Sequence, residues 1–210
     1  MGRPREFNVG AALASAQDLF WSCGFSGSSL SDLERVTGVS RPSLYGAFGS
    51  KEEFFAAALN HYIDTFIADL FQSIEAPNAV PADATRFFRT LAVRFSGDPE
   101  LARRGCFWVN SIAEFAALEG GDRISRATEY RRRLNVAFDN ALGSHQRRRA
   151  VISRRMRLGS RTLTAATLGV WLEARVDPAA AAQTCRVLAI EIQASRRKPL
   201  LDSAPTHRNR

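Results

Sequence analysis

Residues 38–54 read GVSRPSLYGAFGSKEEF, and this stretch decides how the chain is interpreted. Gly38 and Gly49 bracket about two turns of a helix, which has Ser40 as an N-cap and Pro42 in its first turn. A helix buried on all sides would not need so many start and stop signals. The pattern therefore predicts a short helix held at a fixed angle between two others, with one face left free.

The residues just before this stretch predict a second short helix. Leu30, Leu33 and Val36 recur at helical spacing, and Ser29 is placed to cap them with Asp32 three residues later. The helix ends where TGVS begins the next turn. Two short helices joined in this way have the dimensions of a helix-turn-helix.

Longer helices flank this pair. An amphipathic helix is predicted between Asn8, which can cap it, and Gly24, which can end it. On the other side, Ser50 and Glu53 predict a capping box that opens a long helix over 51–74. The three N-terminal helices followed by a long linking helix predict a small helix-turn-helix domain.

The rest of the chain is also helical in its periodicity, and no convincing strand pattern is present. Further helices are predicted at 82–96, 106–118, 122–142, 147–175 and 178–195. We expect an all-α fold with a helix-turn-helix domain at 1–52, a second helical domain at 53–196, and a flexible tail at 197–210.

The net charge of +8 does not by itself indicate nucleic-acid binding. Residues 1–60 hold five basic and six acidic side chains, a net charge of −1, and the basic excess follows residue 85. No apolar run reaches 18 residues, and the start of the chain lacks the apolar stretch of a secretory signal, so a cytoplasmic protein without a membrane span is expected. Three scattered cysteines suit a reducing compartment, and three scattered histidines predict neither a metal site nor a cofactor.

The stretch TGVSRPSLYGAFGSKEEFF resembles the DNA-binding region of the TetR/AcrR family of bacterial transcriptional regulators. The resemblance covers about residues 5–62, and its most specific element is the run Tyr45-x-x-Phe48-x-x-Lys51 directly behind the helix-turn-helix. One position departs from the family pattern, because Glu34 stands where a small residue is usual. That carboxylate must point outward or find a partner such as Arg35, Arg41 or Ser43.

The resemblance implies that the helix from Arg41 to Ala47 enters the major groove of a double-stranded, near-palindromic operator. Arg41 is expected to fork onto a base, while Tyr45 and Lys51 contact phosphates. The expected DNA-binding residues are Ser29, Ser40, Arg41, Pro42, Ser43, Tyr45 and Lys51. Two alternatives stay open: Arg41 pairs with Glu34 and never touches a base, or Lys51 is an ordinary solvated lysine. Phe48 is expected in the core, and Arg3 and Arg5 are a candidate minor-groove arm.

The resemblance also implies that 1–52 is a DNA-binding domain and that 53–196 is an effector-binding and dimerisation domain. We expect the helices over 147–175 and 178–195 to form the homodimer interface. The aromatic content of the second domain favours an apolar, aromatic effector. The expected effector-binding residues are Phe66, Phe95, Cys106, Phe107, Asn110, Glu114 and Trp171. Within this set Cys106, Asn110 and Glu114 form one polar stripe at a spacing of four. The alternative is structural, with Glu114 paired to an arginine and Asn110 bonded to backbone.

The leading hypothesis is a ligand-responsive, sequence-specific transcriptional regulator, most simply a repressor released from its operator by the effector. A DNA-binding protein without an effector and a redox-sensing regulator acting through Cys106 are the alternatives. An enzyme is not expected, because a hydrolase would need a base near Cys106, and no histidine lies at a readable spacing.

Overall fold

The structure is a computed structural model that describes residues 7–117, 121–143 and 159–197. Within these ranges every regular element is helical, which confirms the all-α fold. The α-helices are α1 (Val9–Cys23), α2 (Leu30–Thr37), α3 (Arg41–Phe48), α4 (Lys51–Tyr62), α5 (Ala68–Glu75), α6 (Pro81–Gly97), α7 (Pro99–Arg104), α8 (Phe107–Ala117), α9 (Gly121–Ala141), α10 (Ser160–Val176) and α11 (Pro178–Arg197).

The starts of the first two helices follow from local hydrogen bonds. The Asn8 side chain accepts the N–H of Ala11 at 3.0 Å. The Ser29 hydroxyl accepts the N–H of Asp32, and the Asp32 carboxylate accepts the Ser29 N–H, both at 3.1 Å. This is the capping box that the sequence predicts. The hydrogen bonds from Ser29, with help from Arg35, hold the pKa of Asp32 below its usual value.

The turns of the helix-turn-helix behave as the glycine pattern predicts, with one difference at α4. Gly38 ends α2 in the left-handed conformation, at φ 67°. At α4 the Ser50 hydroxyl accepts the Glu53 N–H at 3.1 Å, but the Glu53 carboxylate accepts from that hydroxyl at 3.0 Å. Only half of the predicted capping box therefore forms, because the Ser50 N–H donates to the Phe48 carbonyl instead.

Two of the predicted helices differ from the structure, and one observed helix was not predicted. The long helix over 51–74 is interrupted by a π-helical turn at Ile63–Ile67, between α4 and α5. The unpredicted helix is α7, which Asp98 caps and Pro99 begins. The helix predicted over 147–175 is observed as α10 from residue 160, and the part from 147 to 158 lies outside the described residues.

Aromatic side chains form a buried core that runs from the first helices into the second half of the chain. The Phe55 ring makes edge contacts with Phe20 at 4.8 Å and with Phe107 at 5.4 Å between ring centroids. Both Phe20 and Phe107 are about 1% exposed. Phe48 stacks on Phe54 at 4.1 Å, which confirms that it packs against the core. Further along the chain, α11 lies against α6 and α10.

None of the helices in the described ranges combines the length and the apolar character that crossing a bilayer requires.

Candidate DNA-reading surface and apolar cavity

The helix-turn-helix presents one face of α3 to solvent. Leu44 is 4% exposed and anchors the helix on the core. Arg41, Pro42 and Tyr45 are exposed on the other side, and Tyr45 is 40% exposed. An eight-residue helix with one buried anchor and an exposed arginine and tyrosine fits the dimensions of a major groove. We call α3 the recognition helix from here on.

The serines expected on this surface take different positions. Ser29 and Ser40 are exposed, and Ser43 is half-buried. Ser40 occupies the N-cap position of α3, but its side chain makes no capping bond and its hydroxyl lies 3.1 Å from that of Ser43. The capping role expected of Ser40 is therefore wrong.

Glu34 caps the recognition helix in place of Ser40. Its carboxylate accepts the backbone N–H of Arg41 at 2.6 Å, and its other oxygen lies 3.5 Å from the Arg41 guanidinium. The departure from the family pattern is thus accommodated by a partner, and the pairing considered in the sequence as an alternative is present. The Arg41 side chain remains 47% exposed, so it still faces solvent.

The sequence predicts that Lys51 is free to contact phosphate or water, but in the structure its ammonium is bonded to the protein. Its ammonium donates to the Phe25 carbonyl at 2.6 Å and to the Ser28 carbonyl, and it lies 4.3 Å from the centre of the Phe25 ring. Two of its three N–H donors are therefore committed to the α1–α2 loop (residues 24–29). Lys51 closes this loop, and one donor remains for another acceptor.

Glu114 binds the same loop from the second half of the chain. Its two carboxylate oxygens accept the N–H groups of Phe25 at 2.8 Å and Ser26 at 2.6 Å. A Cβ atom at Gly24 would lie 2.8 Å from this carboxylate, and Gly24 has φ 76°. Among the residues that the structure describes, Glu114 pairs with no arginine, and both of its oxygens are taken by backbone amides. Its contact with an effector stays a prediction. We call the contact of Glu114 with the two loop amides the loop latch.

The other members of the predicted polar stripe also have structural partners. The Asn110 side-chain amide donates to the Arg104 carbonyl at 2.8 Å, as the structural alternative held. Cys106 is fully buried with its sulfur 3.8 Å from the Tyr130 hydroxyl, and burial raises the pKa of this thiol. An uncharged, buried thiol is a poor redox sensor. These contacts give the three side chains structural roles, and their contact with an effector stays a prediction.

An apolar cavity of about 320 Å³ lies where the π-helical turn, α6, α7 and α10 meet. Three of the predicted effector residues line it, Phe66, Phe95 and Trp171, and the last two rings are in edge contact at 4.9 Å. Phe107 does not line it, because its ring packs on Phe55 and Tyr62 in the core. The full lining comprises Thr65, Phe66, Arg94, Phe95, Gly97, Asp98, Leu101, Ala102, Gly105 and Trp171.

Arg94 is one of the cavity residues that the sequence pattern did not indicate. Its guanidinium donates to the Phe66 carbonyl at 3.0 Å in the π-helical turn and to the Asp69 carboxylate at 2.6 Å. This arginine therefore ties α6 to the irregular part of the linking helix, at the wall of the cavity. Helical periodicity placed Arg94 on α6 but gave no sign of a partner 25 residues away.

The C-terminal end of α7 joins the cavity to α1. The Arg104 carbonyl accepts from the Trp21 indole N–H at 3.1 Å, and the guanidinium lies 4.1 Å from the Trp21 ring. Arg104 also pairs with Asp18 at 3.2 Å. Leu101 and Ala102 of the same helix line the cavity. A displacement of α7 would therefore also move or break its contacts with Trp21 and Asp18 of α1.

Known proteins share both the N-terminal motif and the fold. Residues 12–58 match the family described as bacterial regulatory proteins, tetR family. The HTH-type transcriptional repressor ComR of Escherichia coli is 39% identical over 123 residues, which cover 57% of this chain and 56% of ComR. The uncharacterized HTH-type transcriptional regulator YezE of Bacillus subtilis is 35% identical over 114 residues, or 54% of this chain and 58% of YezE. The matches thus span a little more than half the length of these curated relatives.

Two solved structures extend the similarity over most of the chain. A cysteine variant of the TetR family transcriptional regulator CifR, in complex with 26-bp double-stranded operator DNA, is 28% identical with a TM-score of 0.57, covering 94% of this chain and all of that one. Reduced NemR of E. coli has a TM-score of 0.69 at 21% identity, over 88% of this chain and 94% of NemR, and shows the common fold. The motif at residues 12–58, the helical architecture and these relatives agree, and the DNA-binding region of this chain is that of the TetR family of bacterial regulatory proteins.

Proposed function

We propose that this chain is a sequence-specific DNA-binding transcriptional regulator that acts as a repressor. The observation that carries the proposal is the recognition helix, which is anchored by buried Leu44 and presents Arg41 and Tyr45 to solvent. The similarity to CifR, whose structure contains operator DNA, and to the repressor ComR supports it.

In this proposal the recognition helix lies in the major groove. Arg41 forks onto a guanine edge and Pro42 packs on a thymine methyl, while Ser40 and Ser43 bond base edges or phosphates. Tyr45 and Ser29, at the start of α2, contact phosphates, and the remaining N–H of Lys51 reaches another. The candidate arm with Arg3 and Arg5 lies outside the described residues.

We propose that two copies bind together. The helices α10 and α11 expose apolar side chains, among them Leu172 at 50%, Val176 at 85% and Ile190 at 60%. Exposed apolar side chains grouped on neighbouring helices are typical of an interface between protein chains. A symmetric homodimer through these helices would place two recognition helices on a near-palindrome, in successive major grooves about 34–36 Å apart.

We further propose that the cavity at the π-helical turn binds the effector. About 320 Å³ is within the range of small-molecule sites, and the walls are rings and aliphatic side chains with Arg94 and Asp98 as the charged groups. An apolar, aromatic compound carrying one polar group fits this lining. Glu114 and Asn110 would not contact this compound. They would belong to the framework that connects the cavity to the DNA-binding helices, through their bonds to Phe25 and Arg104.

The proposed release follows from which elements the effector would touch. A compound against Phe66 and Leu101 contacts the π-helical turn of the linking helix and α7 together. Displacement of α7 would act on Trp21 of α1 through the Arg104 carbonyl. The effector releases DNA only if it binds better to the displaced state, since an equal affinity for both states shifts nothing.

The experiment that tests DNA binding is a selection from a library of random duplexes with the purified full chain, followed by footprinting of the enriched sequence. The proposal predicts one near-palindromic sequence, protected over two half-sites by a dimer. Enrichment of no sequence, with uniform weak binding that depends only on salt, would contradict sequence-specific regulation.

The effector is tested separately on that footprint. Phe95→Ala enlarges the cavity and leaves the recognition helix intact, so it should change which aromatic compounds release the DNA without changing the protected sequence. Release of wild type and Phe95→Ala by the same compounds at the same concentrations would place the effector elsewhere.

A further inference from the structure

We propose that Glu34 is a specificity-determining residue of the DNA-reading surface, which acts by positioning Arg41 and by opposing phosphate at the start of the recognition helix. The inference rests on the proposed DNA binding through α3. Glu34 lies on α2, at a position where related sequences usually have a small residue.

Two contacts place Glu34 in this role. One carboxylate oxygen accepts the Arg41 N–H at 2.6 Å, and the other lies 3.5 Å from the Arg41 guanidinium. Both side chains are partly exposed, Glu34 at 34% and Arg41 at 47%. The pair is therefore at the surface, where the approach of DNA can rearrange it.

The position of the carboxylate determines its effect on DNA. The start of a helix attracts anions through its free N–H groups, and a phosphate would be the natural occupant on DNA. In α3 the Ser40 side chain makes no capping bond, Pro42 has no N–H, and the Arg41 N–H is already taken by Glu34. The fixed carboxylate thus occupies the place that a phosphate of any sequence could otherwise use.

The consequence is a difference between operator and random DNA. On random DNA, the carboxylate repels phosphates and keeps the guanidinium paired, so the strongest nonspecific contact of the helix is weakened. On the operator, a base edge that accepts two hydrogen bonds from Arg41 draws the guanidinium away, while the Arg41 N–H stays bonded to Glu34. Specificity is gained by penalising the wrong sequences.

The test compares Glu34→Gln with Glu129→Gln, a matched loss of one charge on an exposed residue of α9. Glutamine keeps an oxygen that can cap the Arg41 N–H, so α3 should stay folded. Binding to the selected operator and to random duplex is measured at several salt concentrations. For Glu34→Gln we expect affinity for random duplex to rise on the order of tenfold, with a salt slope steeper by about one, and operator affinity to change by less than about threefold. Glu129→Gln should leave the ratio of the two affinities unchanged.

A double variant shows whether Glu34 acts through Arg41. Because part of the effect passes through Arg41, adding Glu34→Gln to Arg41→Ala should lower the ratio less than Glu34→Gln lowers it in the wild type. An unchanged ratio in Glu34→Gln, or losses that simply add in the double variant, would overturn the inference. Glu34→Ala, which removes the cap as well, should lose the same discrimination. If the wild type itself selects no sequence, the proposed function has failed; if it selects one and Glu34→Gln keeps the ratio, only this inference has.

Discussion

The α1–α2 loop and the recognition helix are neighbours in one small bundle, but they are held in different ways. The loop is bonded from two sides, with the Lys51 ammonium on its carbonyls and the Glu114 carboxylate on its amides. The recognition helix packs chiefly against α2 and α4. Its cap, Glu34, comes from the adjacent helix. The α1–α2 loop is therefore held by a residue of the second domain, Glu114, as well as by Lys51. The helix proposed to face DNA is held by contacts with the helices next to it in sequence.

This difference separates two tasks that are performed by a single small bundle. In the proposed function, side chains on α3 decide which DNA is bound, and the loop latch connects the second domain to the α1–α2 loop. These two tasks should therefore respond to different substitutions.

The aromatic core under the loop should matter more for stability than the core under the recognition helix. Phe55 is 2% exposed and touches Phe20, Phe25 and Phe107, so Phe55→Ala should lower the free energy of unfolding by about 3–5 kcal/mol. Phe48 is only partly buried on the α3 side, so Phe48→Ala should cost about 2 kcal/mol. Urea unfolding followed by tryptophan fluorescence measures both. Equal costs would show that the two sides are held alike.

The loop latch should be the next largest contribution. Glu114→Ala removes the acceptor of two charge-assisted bonds, to the N–H groups of Phe25 and Ser26, and should cost about 2–3 kcal/mol. Hydrogen exchange should then show faster opening of the α1–α2 loop, with α3 unchanged. The matched control is Glu129→Ala, whose carboxylate pairs with Arg132 on the exposed face of α9. Equal exchange in the loops of both variants would argue against the latch.

Lys51 should behave as a stabilising residue before it behaves as a DNA contact. Lys51→Met keeps the apolar stem but removes the bonds to the carbonyls of Phe25 and Ser28, and should lower stability by about 1–2 kcal/mol. Because Glu114 holds the same loop, Lys51→Met combined with Glu114→Ala should lower the free energy of unfolding by less than the sum of the two single effects. A stability equal to wild type, with weaker DNA binding, would assign Lys51 to phosphate alone.

The capping box at the end of the loop should give the smallest effect, and it depends on pH. The hydrogen bonds from Ser29 lower the pKa of Asp32, so its contribution to stability is present above the unfolded pKa and is lost as pH falls through the folded one. The stability difference between wild type and Asp32→Asn should therefore be constant near neutral pH and shrink below about pH 4. Thermal unfolding from pH 7 to pH 3 tests this, and a difference independent of pH would assign the effect to geometry alone.

These contrasts also explain how much of the structure the sequence could predict. The caps at Asn8 and Ser29 and the turn at Gly38 depend on residues three or four apart, and all three are confirmed. An aspartate followed by a proline marks the start of both α7 and α11. The helix after Asp177 was predicted, and the same pattern at Asp98 could have predicted the start of α7.

The site was less predictable where its contacts join distant parts of the chain. Glu114 and Phe25 are 89 residues apart, and periodicity alone placed Glu114 on a polar stripe without naming its partner. The π-helical turn at Ile63–Ile67 left the apolar repeat of the linking helix intact, so the repeat could not reveal it. Phe66, Phe95 and Trp171 were found because aromatic residues line apolar cavities, and the same reasoning selected Phe107, which the core uses instead.

The most direct test of the account is a selection from random duplexes carried out side by side with wild type, Arg41→Ala and Glu114→Gln. The account predicts that Glu114→Gln recovers the wild-type operator, because the loop latch does not read bases. It predicts that Arg41→Ala recovers a sequence that has lost its preference at the base pair contacted by the guanidinium, at a cost of about 1–3 kcal/mol in discrimination. Recovery of the wild-type operator by Arg41→Ala, or of a different operator by Glu114→Gln, would contradict the separation of reading from coupling.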